Sequence, residues 1–252
     1  MEQDVRNVGK VVVVTSGKGG TGKSTVSAGL GAALCKRGRS VLLIDLDEGL
    51  GCLDLLLSVT TFVYDFGDLV HGNCEPQEAA RQVDGCPGLW LMSAPSEVGT
   101  LDDAAALHTV LDDLSARFDY VILDSPAGVD RGFRTVLDAR YHVIVVATPD
   151  PVSIRDAARV LQFLSAEGIA HRRLLMNQFR LQSFADGPFA TLDDLIDGAG
   201  IQLIGVVPRD EQVLLAAIEG TPLTVGRAAE SFTRIAARLD GENIPLPKLE
   251  RI

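Results

Sequence analysis

The stretch Val11–Thr25, "VVVVTSGKGGTGKST", joins a run of β-branched residues to a glycine-rich segment. The apolar run predicts a buried strand, and the residues that follow, "VSAGLGAALCKRG", predict a helix that ends at Gly38 after basic residues. In such a strand–loop–helix unit, backbone N–H groups of the loop and of the helix N-terminus face one point and favour an anion there. The stretch therefore predicts a phosphate-binding loop.

The same loop fits two phosphate-binding patterns. In the pattern G-x-x-x-x-G-K-S, Lys23 reaches the β- and γ-phosphates of a triphosphate and the Ser24 hydroxyl holds Mg²⁺. The dinucleotide pattern G-x-G-x-x-G is also present, and Asp45 lies about 20 residues further on, where a ribose-binding acid is expected. A purely structural glycine-rich turn is the third reading. A dinucleotide requires neither the lysine nor the hydroxyl, so the triphosphate reading is favoured.

Acidic residues follow two other predicted strands. "YVILDSPAG" ends a strand at Asp124, in the form of a Walker-B acid, and "LIDLDEG" places Asp45 and Asp47 at the end of another. An acid at a strand end is, by itself, more often a helix cap or a solvated turn residue. Because ligands of open α/β sheets gather at the carboxyl ends of the strands, three loops are expected to converge on one nucleotide.

Composition limits the class of protein. The chain has 252 residues, of which 46% are apolar and 23% charged, so it can bury a sizeable core. Its formal net charge of -11 argues against a broad nucleic-acid-binding face. Its four cysteines are scattered without a C-x-x-C pair, which favours reduced thiols in a cytosol. The polar N-terminus and the lack of an apolar run of about 18 residues indicate a soluble cytoplasmic chain.

Short β-branched runs alternate with helical patterns along the whole chain, and this predicts right-handed βαβ units. The predicted fold class is α/β, a doubly wound, mostly parallel sheet with helices on both faces, in a single domain over residues 1–252. The predicted strands cover 11–15, 41–45, 89–92, 120–124, 142–148, 173–177 and 202–207. The predicted helices cover 23–37, 101–117, 152–167, 191–199, 210–219 and 226–239. The less regular segment 55–88 is expected to hold a helix or two and a loop.

These motifs, in this order, resemble the MinD/ParA family of P-loop ATPases, whose deviant Walker A box is "KGGTGKST" here. The likeness is closest to the septum-site-determining branch and continues through "VLLIDLDEGLGCLDLLL", "VYDFGDLVHG", "YVILDSPAGVDRG", "TPDPVSIRDAARV" and "IGVVPRDEQVLLAAIEG". It implies a Mg²⁺-dependent ATPase that dimerises on ATP, is slow until dimerised or activated, and positions the division site. The implied partners are a second copy and an activator or effector of the MinC/MinE type. The implied location is the cytoplasm, including the inner face of the cell membrane.

The resemblance also assigns roles to residues. Lys18 is the signature lysine that reaches the phosphates of the partner subunit, and with Lys23 and Asp47, which orients the attacking water, it forms the expected catalytic set. The magnesium residues implied are Ser24, Asp45 and Asp124. The nucleotide-binding loop consists of Gly17, Lys18, Gly19, Gly20, Thr21, Gly22, Lys23, Ser24 and Thr25. Gly128 matches the residue whose N–H senses the γ-phosphate, and the adenine region is matched by Asn177, Pro208 and Asp210.

The chain departs from the family pattern at two places. The family usually has Arg-Asn where this sequence has Gly51-Cys52, so contacts of the first switch loop are expected to differ. The C-terminal sequence "ENIPLPKLERI" carries Pro245 and Pro247, which break a helix, so a long amphipathic membrane helix is not expected there.

Three related functions are alternatives. An iron–sulfur ATPase of the same fold needs clustered cysteine ligands, and no cysteine lies between "DSPAG" and "TPDP". A ParA-like DNA-partitioning ATPase needs a basic surface, against which the acidic balance weighs. A regulator of flagellar number belongs to the same branch, and the sequence alone does not separate it from division-site placement.

Overall fold

The computed structural model describes residues 8–129, 131–181 and 200–247. The strands are β1 (Lys10–Thr15), β2 (Val41–Asp45), β3 (Arg81–Gln82), β4 (Leu89–Met92), β5 (Tyr120–Asp124), β6 (His142–Ala147), β7 (Arg172–Phe179) and β8 (Leu203–Pro208). The α-helices are α1 (Lys23–Lys36), α2 (Leu53–Leu56), α3 (Phe66–Val70), α4 (Pro76–Ala79), α5 (Ala104–Arg117), α6 (Arg131–Val136), α7 (Pro151–Ala166), α8 (Glu211–Glu219) and α9 (Arg227–Leu239). A 3₁₀ turn, Thr100–Asp102, precedes α5. The helix predicted over 191–199 lies outside the described residues.

The strands form one sheet in the order β3-β4-β2-β5-β1-β6-β7-β8, which confirms the predicted fold class. All pairs are parallel except the antiparallel contact of β3 with β4. The central strand β1 lies between β5 and β6. The register sets Asp45, the last residue of β2, beside Asp124, the last residue of β5. Two carboxylates thus meet at the carboxyl edge of the sheet, next to the end of β1.

Each face of the sheet is covered by helices because the side chains of its strands alternate between two apolar layers. Val11 and Val13 of β1 enter the layer that contains buried residues of α5 and α7. Val12 and Val14 enter the layer that contains residues of α1 and α9. The contact between α1 and α9 requires Gly29, because a Cβ there would lie 2.4 Å from the ring of Phe232.

The segment between β2 and β4 differs in detail from the prediction. It holds three short helices, α2 to α4, and the edge strand β3. A two-residue strand has no period from which it could be recognised. The helix α6 is a second element that the sequence patterns did not predict. The helix predicted over 101–117 begins three residues later, at Ala104, because residues 101 and 102 belong to the 3₁₀ turn and Asp103 is the N-cap of α5. Among the described residues, no helix has the length and apolar character needed to cross a bilayer.

Candidate nucleotide site

The loop between β1 and α1 is shaped by its glycines. Gly20 and Gly22 have φ of 78° and 87°, a left-handed conformation that L-residues rarely adopt. Gly17 lies against α7, since a Cβ there would be 2.5 Å from the carbonyl carbon of Asp156. The first turn of α1 has neither an acidic residue nor a side-chain cap. The N–H groups of this first turn are therefore not engaged by a side chain and can bind an anion, as the sequence motif predicts.

Two side-chain amides at the end of β7 hold this loop from one side. Asn177 Nδ2 donates to the Thr21 carbonyl at 2.8 Å, and Gln178 Nε2 donates to the Gly20 carbonyl at 3.2 Å. Gln178 has a φ of 56°, at an irregularity in the pairing of β7 with β8. Such local strain is frequent beside functional sites. Asn177 thus braces the phosphate loop in this structure, and Gln178 is a site residue that the sequence reasoning missed.

Asp124 lies at the centre of an acidic cluster below the loop. It is 3% exposed and accepts a hydrogen bond from Ser27 Oγ at 3.0 Å. Burial raises the pKa of Asp124 to about 7, and the charge of the neighbouring Asp45 adds to the rise. A hydrogen bond from Ser24 and the charge of Lys23 act in the opposite direction. The structure therefore brings together Lys23, Ser24, Asp45 and Asp124, as predicted. A buried carboxylate with this pKa favours a nearby cation.

Asp45 organises the loop that follows β2. Its carboxylate accepts hydrogen bonds from the backbone N–H of Asp47 at 3.0 Å, Cys52 at 2.8 Å and Leu53 at 3.1 Å. Burial raises its pKa, and these three donors oppose the rise. A Cβ at Gly51 would lie 2.9 Å from the Asp45 carboxylate. The absence of a Cβ at position 51 thus permits this close approach.

Asp47 and Gly128, the residues predicted to act at the γ-phosphate, lie on the two loops at this edge. Asp47 is half-buried and borders a cavity of about 300 Å³ that Pro126 of the other loop also lines. The Gly128 N–H donates to the Ser16 carbonyl at 2.8 Å, with a φ of 101° at the glycine. In this structure the second loop is therefore docked on the end of β1 through the very N–H predicted to sense the nucleotide.

Lys18 points away from this acidic cluster. Its Nζ lies 3.1 Å from both carboxylate oxygens of Asp150, the N-cap residue of α7. The Lys18 and Asp150 side chains are 34% and 42% exposed. Partial burial acts to raise the pKa of Asp150, but hydrogen bonds from Thr148, Ser153 and Lys18 outweigh it and hold the pKa below its ordinary value. The two lysines of the loop thus occupy different environments.

The predicted adenine residues beyond β7 have structural contacts. Pro208 ends β8 beside Phe179, in register with the end of β7. Asp210 caps α8 by accepting from the Gln212 N–H at 3.0 Å, and its second oxygen accepts from the Ala228 N–H at 2.9 Å. The two carboxylate oxygens of Asp210 therefore hold helices α8 and α9 together. The role of Pro208 and Asp210 in binding the base stays a prediction.

The residues present fit a magnesium nucleotide. No group of three or more His, Cys, Asp or Glu side chains within the described ranges could hold a metal ion by itself. Mg²⁺ typically binds through one or two protein oxygens together with phosphates and water, so a complete protein cage is not required. The Ser24 hydroxyl, at the start of α1, and the Asp124 carboxylate, at the end of β5, are the groups that would hold it.

Comparison with known proteins agrees with this geometry. Residues 12–223 match the CobQ/CobB/MinD/ParA nucleotide binding domain. The chain therefore belongs to the MinD/ParA family of nucleotide-binding proteins. It is 37% identical to the septum site-determining protein MinD of Thermotoga maritima, over 95% of this chain and 91% of that protein. It is 35% identical to MinD of Bacillus subtilis, over 96% and 93% of the two chains.

Solved structures show the same relationship. A chain of the MinC:MinD cell division protein complex of Aquifex aeolicus superposes with a TM-score of 0.86 at 31% identity, covering 95% of this chain and 99% of that one. The septum site-determining protein MinD of Pyrococcus horikoshii, complexed with Mg-ADP, has a TM-score of 0.80 at 24% identity, covering 92% and 96% of the chains. The latter similarity concerns the fold.

Proposed function

We propose that this chain is a Mg²⁺-dependent ATPase of the MinD type that dimerises when it binds ATP and positions the division site through partner proteins. The observation that carries the proposal is the separation of the two loop lysines. Lys23 lies beside Asp124 inside the site, whereas Lys18 is held at its rim by Asp150. The relatives named MinD support division-site placement over a flagellar or DNA-partitioning role, and the Aquifex complex supports an effector of the MinC type.

The residues divide the chemistry between them. The N-terminus of α1 and Lys23 bind the β- and γ-phosphates. Ser24 and Asp124 would hold the ion, which would supply neutralisation of the phosphate charge. Asp47 orients the attacking water. Lys18 of a second copy adds positive charge at the phosphates, where the charge of the loose transition state needs it. A single chain lacks that charge and hydrolyses ATP slowly.

The two lysines are therefore expected to fail differently. Lys23→Ala weakens ATP binding itself because its contacts form within one subunit. Lys18→Ala leaves a monomer that binds ATP but neither dimerises on ATP nor turns it over well. Calorimetry measures the binding, and light scattering with ATP or a slow analogue measures the dimer.

Mixing variants tests the exchange between subunits. In a mixed dimer of Lys18→Ala with Asp47→Ala, one site combines an intact Asp47 with an intact Lys18 from the other chain, so partial ATPase activity returns. A Lys18→Ala protein that dimerises and turns over normally would show that this lysine is only a solvated loop residue, and the proposal of a trans-acting lysine would be wrong.

A further inference from the structure

Two cysteines lie in neighbouring elements at the end of α1 that is far from the phosphate loop. Cys35 lies in the last turn of α1, and Cys86 lies in the turn that precedes β4. Cys86 belongs to a buried apolar cluster against which Cys35 packs, and a Cβ at Gly88 in the same turn would lie 3.6 Å from the Cys35 Sγ. The Cys35 Sγ also lies 3.2 Å from the Pro87 carbonyl oxygen, to which it donates. The helix and the turn are therefore in contact through sulfur.

The backbone fixes the position of Cys86. Its N–H donates to the Val83 carbonyl at 3.3 Å, and its own carbonyl accepts from the Leu89 N–H at 2.9 Å. The turn contains two glycines at positive φ, Gly85 at 73° and Gly88 at 105°. Cys86 itself is 7% exposed. Cys86 is thus held in a defined turn, and Cys35 of α1 packs against that turn.

The two thiols differ in access. Cys35 is partly exposed and Cys86 is buried. Burial, together with the Cys35 contact, raises the pKa of Cys86 to about 12, so Cys86 keeps its proton at neutral pH. An oxidant in solution therefore meets Cys35 first, and Cys86 is placed to react second. Burial, with neighbouring carboxylates adding to it, raises the pKa of the Cys52 and Cys74 thiols and disfavours their thiolates.

We propose that Cys35 and Cys86 form a redox modification site that closes to a disulfide when the chain meets a small-molecule disulfide. In the first step the Cys35 thiolate attacks the reagent R–S–S–R, which gives Cys35–S–S–R and releases one R–SH. In the second step the Cys86 sulfur attacks the Cys35 sulfur, the new bond forms, and a second R–SH leaves. The protein loses two electrons and two protons, which reduce the reagent to two thiols.

Formation of the disulfide affects the unfolded chain more than it affects the nucleotide site. The bond closes a ring of about 50 residues, for which the chain-entropy relation predicts a rise in melting temperature of roughly 10 °C in a protein of this size. Cys35 follows Lys23 along α1 by a rise of about 18 Å. Nucleotide binding at the loop is therefore expected to survive oxidation.

The experiment oxidises the purified full-length chain with oxidised glutathione and counts free thiols. We expect the number to fall from the four cysteines of the sequence to two, with the peptides of Cys35 and Cys86 joined in non-reducing mass spectrometry. The melting temperature rises by about 10 °C and returns on reduction with dithiothreitol. Cys35→Ala and, separately, Cys86→Ala abolish both changes, whereas the matched control Cys74→Ala keeps them.

The opposite results are equally specific. Four free thiols after oxidation, glutathione retained on Cys35 beside a free Cys86, or a cross-link between other cysteines each overturn the proposal. Cys35→Ala alone suffices for the comparison if Cys86→Ala does not fold, because Cys35 is only partly buried and the thiol count of the wild-type chain is independent of either variant.

Discussion

Replacing Asp124 by asparagine is expected to stabilise the protein while it abolishes Mg²⁺-dependent hydrolysis. Asp124 is buried beside Asp45, and its pKa is raised to about 7, with burial as the main cause. The ordinary value is 3.8, so between these two pH values the folded state holds a proton that the unfolded state has released. The stability from this group is thus present at low pH and is lost as the pH rises toward 7.

The magnitude follows from the size of the shift. One unit of pKa corresponds to about 1.4 kcal/mol, so the ionised carboxylate costs about 4 kcal/mol above pH 7 in the absence of ligand. In Asp124→Asn the carbonyl oxygen still accepts from Ser27, but the new NH₂ group must find an acceptor. The variant is therefore expected to regain half of the cost of the ionised carboxylate, so its free energy of unfolding at pH 8 exceeds that of the wild type by roughly 2 kcal/mol.

Urea unfolding at about pH 5.5 and pH 8, without nucleotide or Mg²⁺, measures this effect. The wild-type chain is expected to lose about 2 kcal/mol from Asp124 over this range, a loss that Asp124→Asn does not share. Asp84→Asn, a change at an exposed acid, is the matched control. The reasoning would be refuted if the Asp124→Asn variant were less stable than the wild type at pH 8 and lost the same stability between the two pH values.

Three further changes test other parts of the molecule. Asp47→Ala is expected to lower kcat by about 100-fold or more while nucleotide affinity is retained; an unchanged turnover rate would remove Asp47 from the mechanism. Gln178→Gly removes the cost of about 1 kcal/mol of a left-handed residue, so the free energy of unfolding is expected to hold or rise. Nucleotide affinity is expected to fall a few-fold because the amide that braces the loop is lost. Gln178→Asn is the control, and an unchanged affinity of Gln178→Gly in calorimetry contradicts the bracing role. Burial, with His171 stacked on it, lowers the pKa of His142 to about 4, so stability present above pH 6.5 is lost as the pH falls. His142→Phe should therefore gain on the wild type by about 1–2 kcal/mol between pH 7 and pH 5 in urea unfolding, and a constant difference contradicts this.

The parts of the fold that could be predicted are those with strong local patterns. The strands β1, β2, β4 and β5 are continuous apolar runs, and continuous burial on both faces permits few other assignments. Parallel strands bring their carboxyl ends to one edge, so the meeting of Asp45 and Asp124 followed from topology alone. The strand β3 could not be predicted because its pairing with β4 involves only two residues, with no pattern of their own.

Side-chain contacts within the site were less accessible to sequence reasoning. An Asn-Gln pair at a strand end is an ordinary turn signal, and only the left-handed backbone of Gln178 aims its amide at the Gly20 carbonyl. The hydrogen bond from Gly128 to Ser16 is likewise a property of one arrangement of the loop. For the N–H of Gly128 to contact a γ-phosphate, that bond must be exchanged for one to the ligand. A charged acceptor makes the stronger bond, so nucleotide binding supplies the free energy for the exchange.

The same comparison of strengths applies to Lys18. Its partner Asp150 is accessible to water, and an exposed ion pair contributes only about 0–1 kcal/mol. Hydrogen bonds to charged groups in a closed interface contribute about 1.5–3 kcal/mol, so the exchange of Asp150 for a phosphate is favoured by roughly 1–2 kcal/mol, about tenfold. The contact inside one chain therefore holds Lys18 in a defined position without preventing its release. Sequence patterns describe a single chain, and the proposed acceptor of this lysine, the phosphates of a second copy, is available only in a dimer.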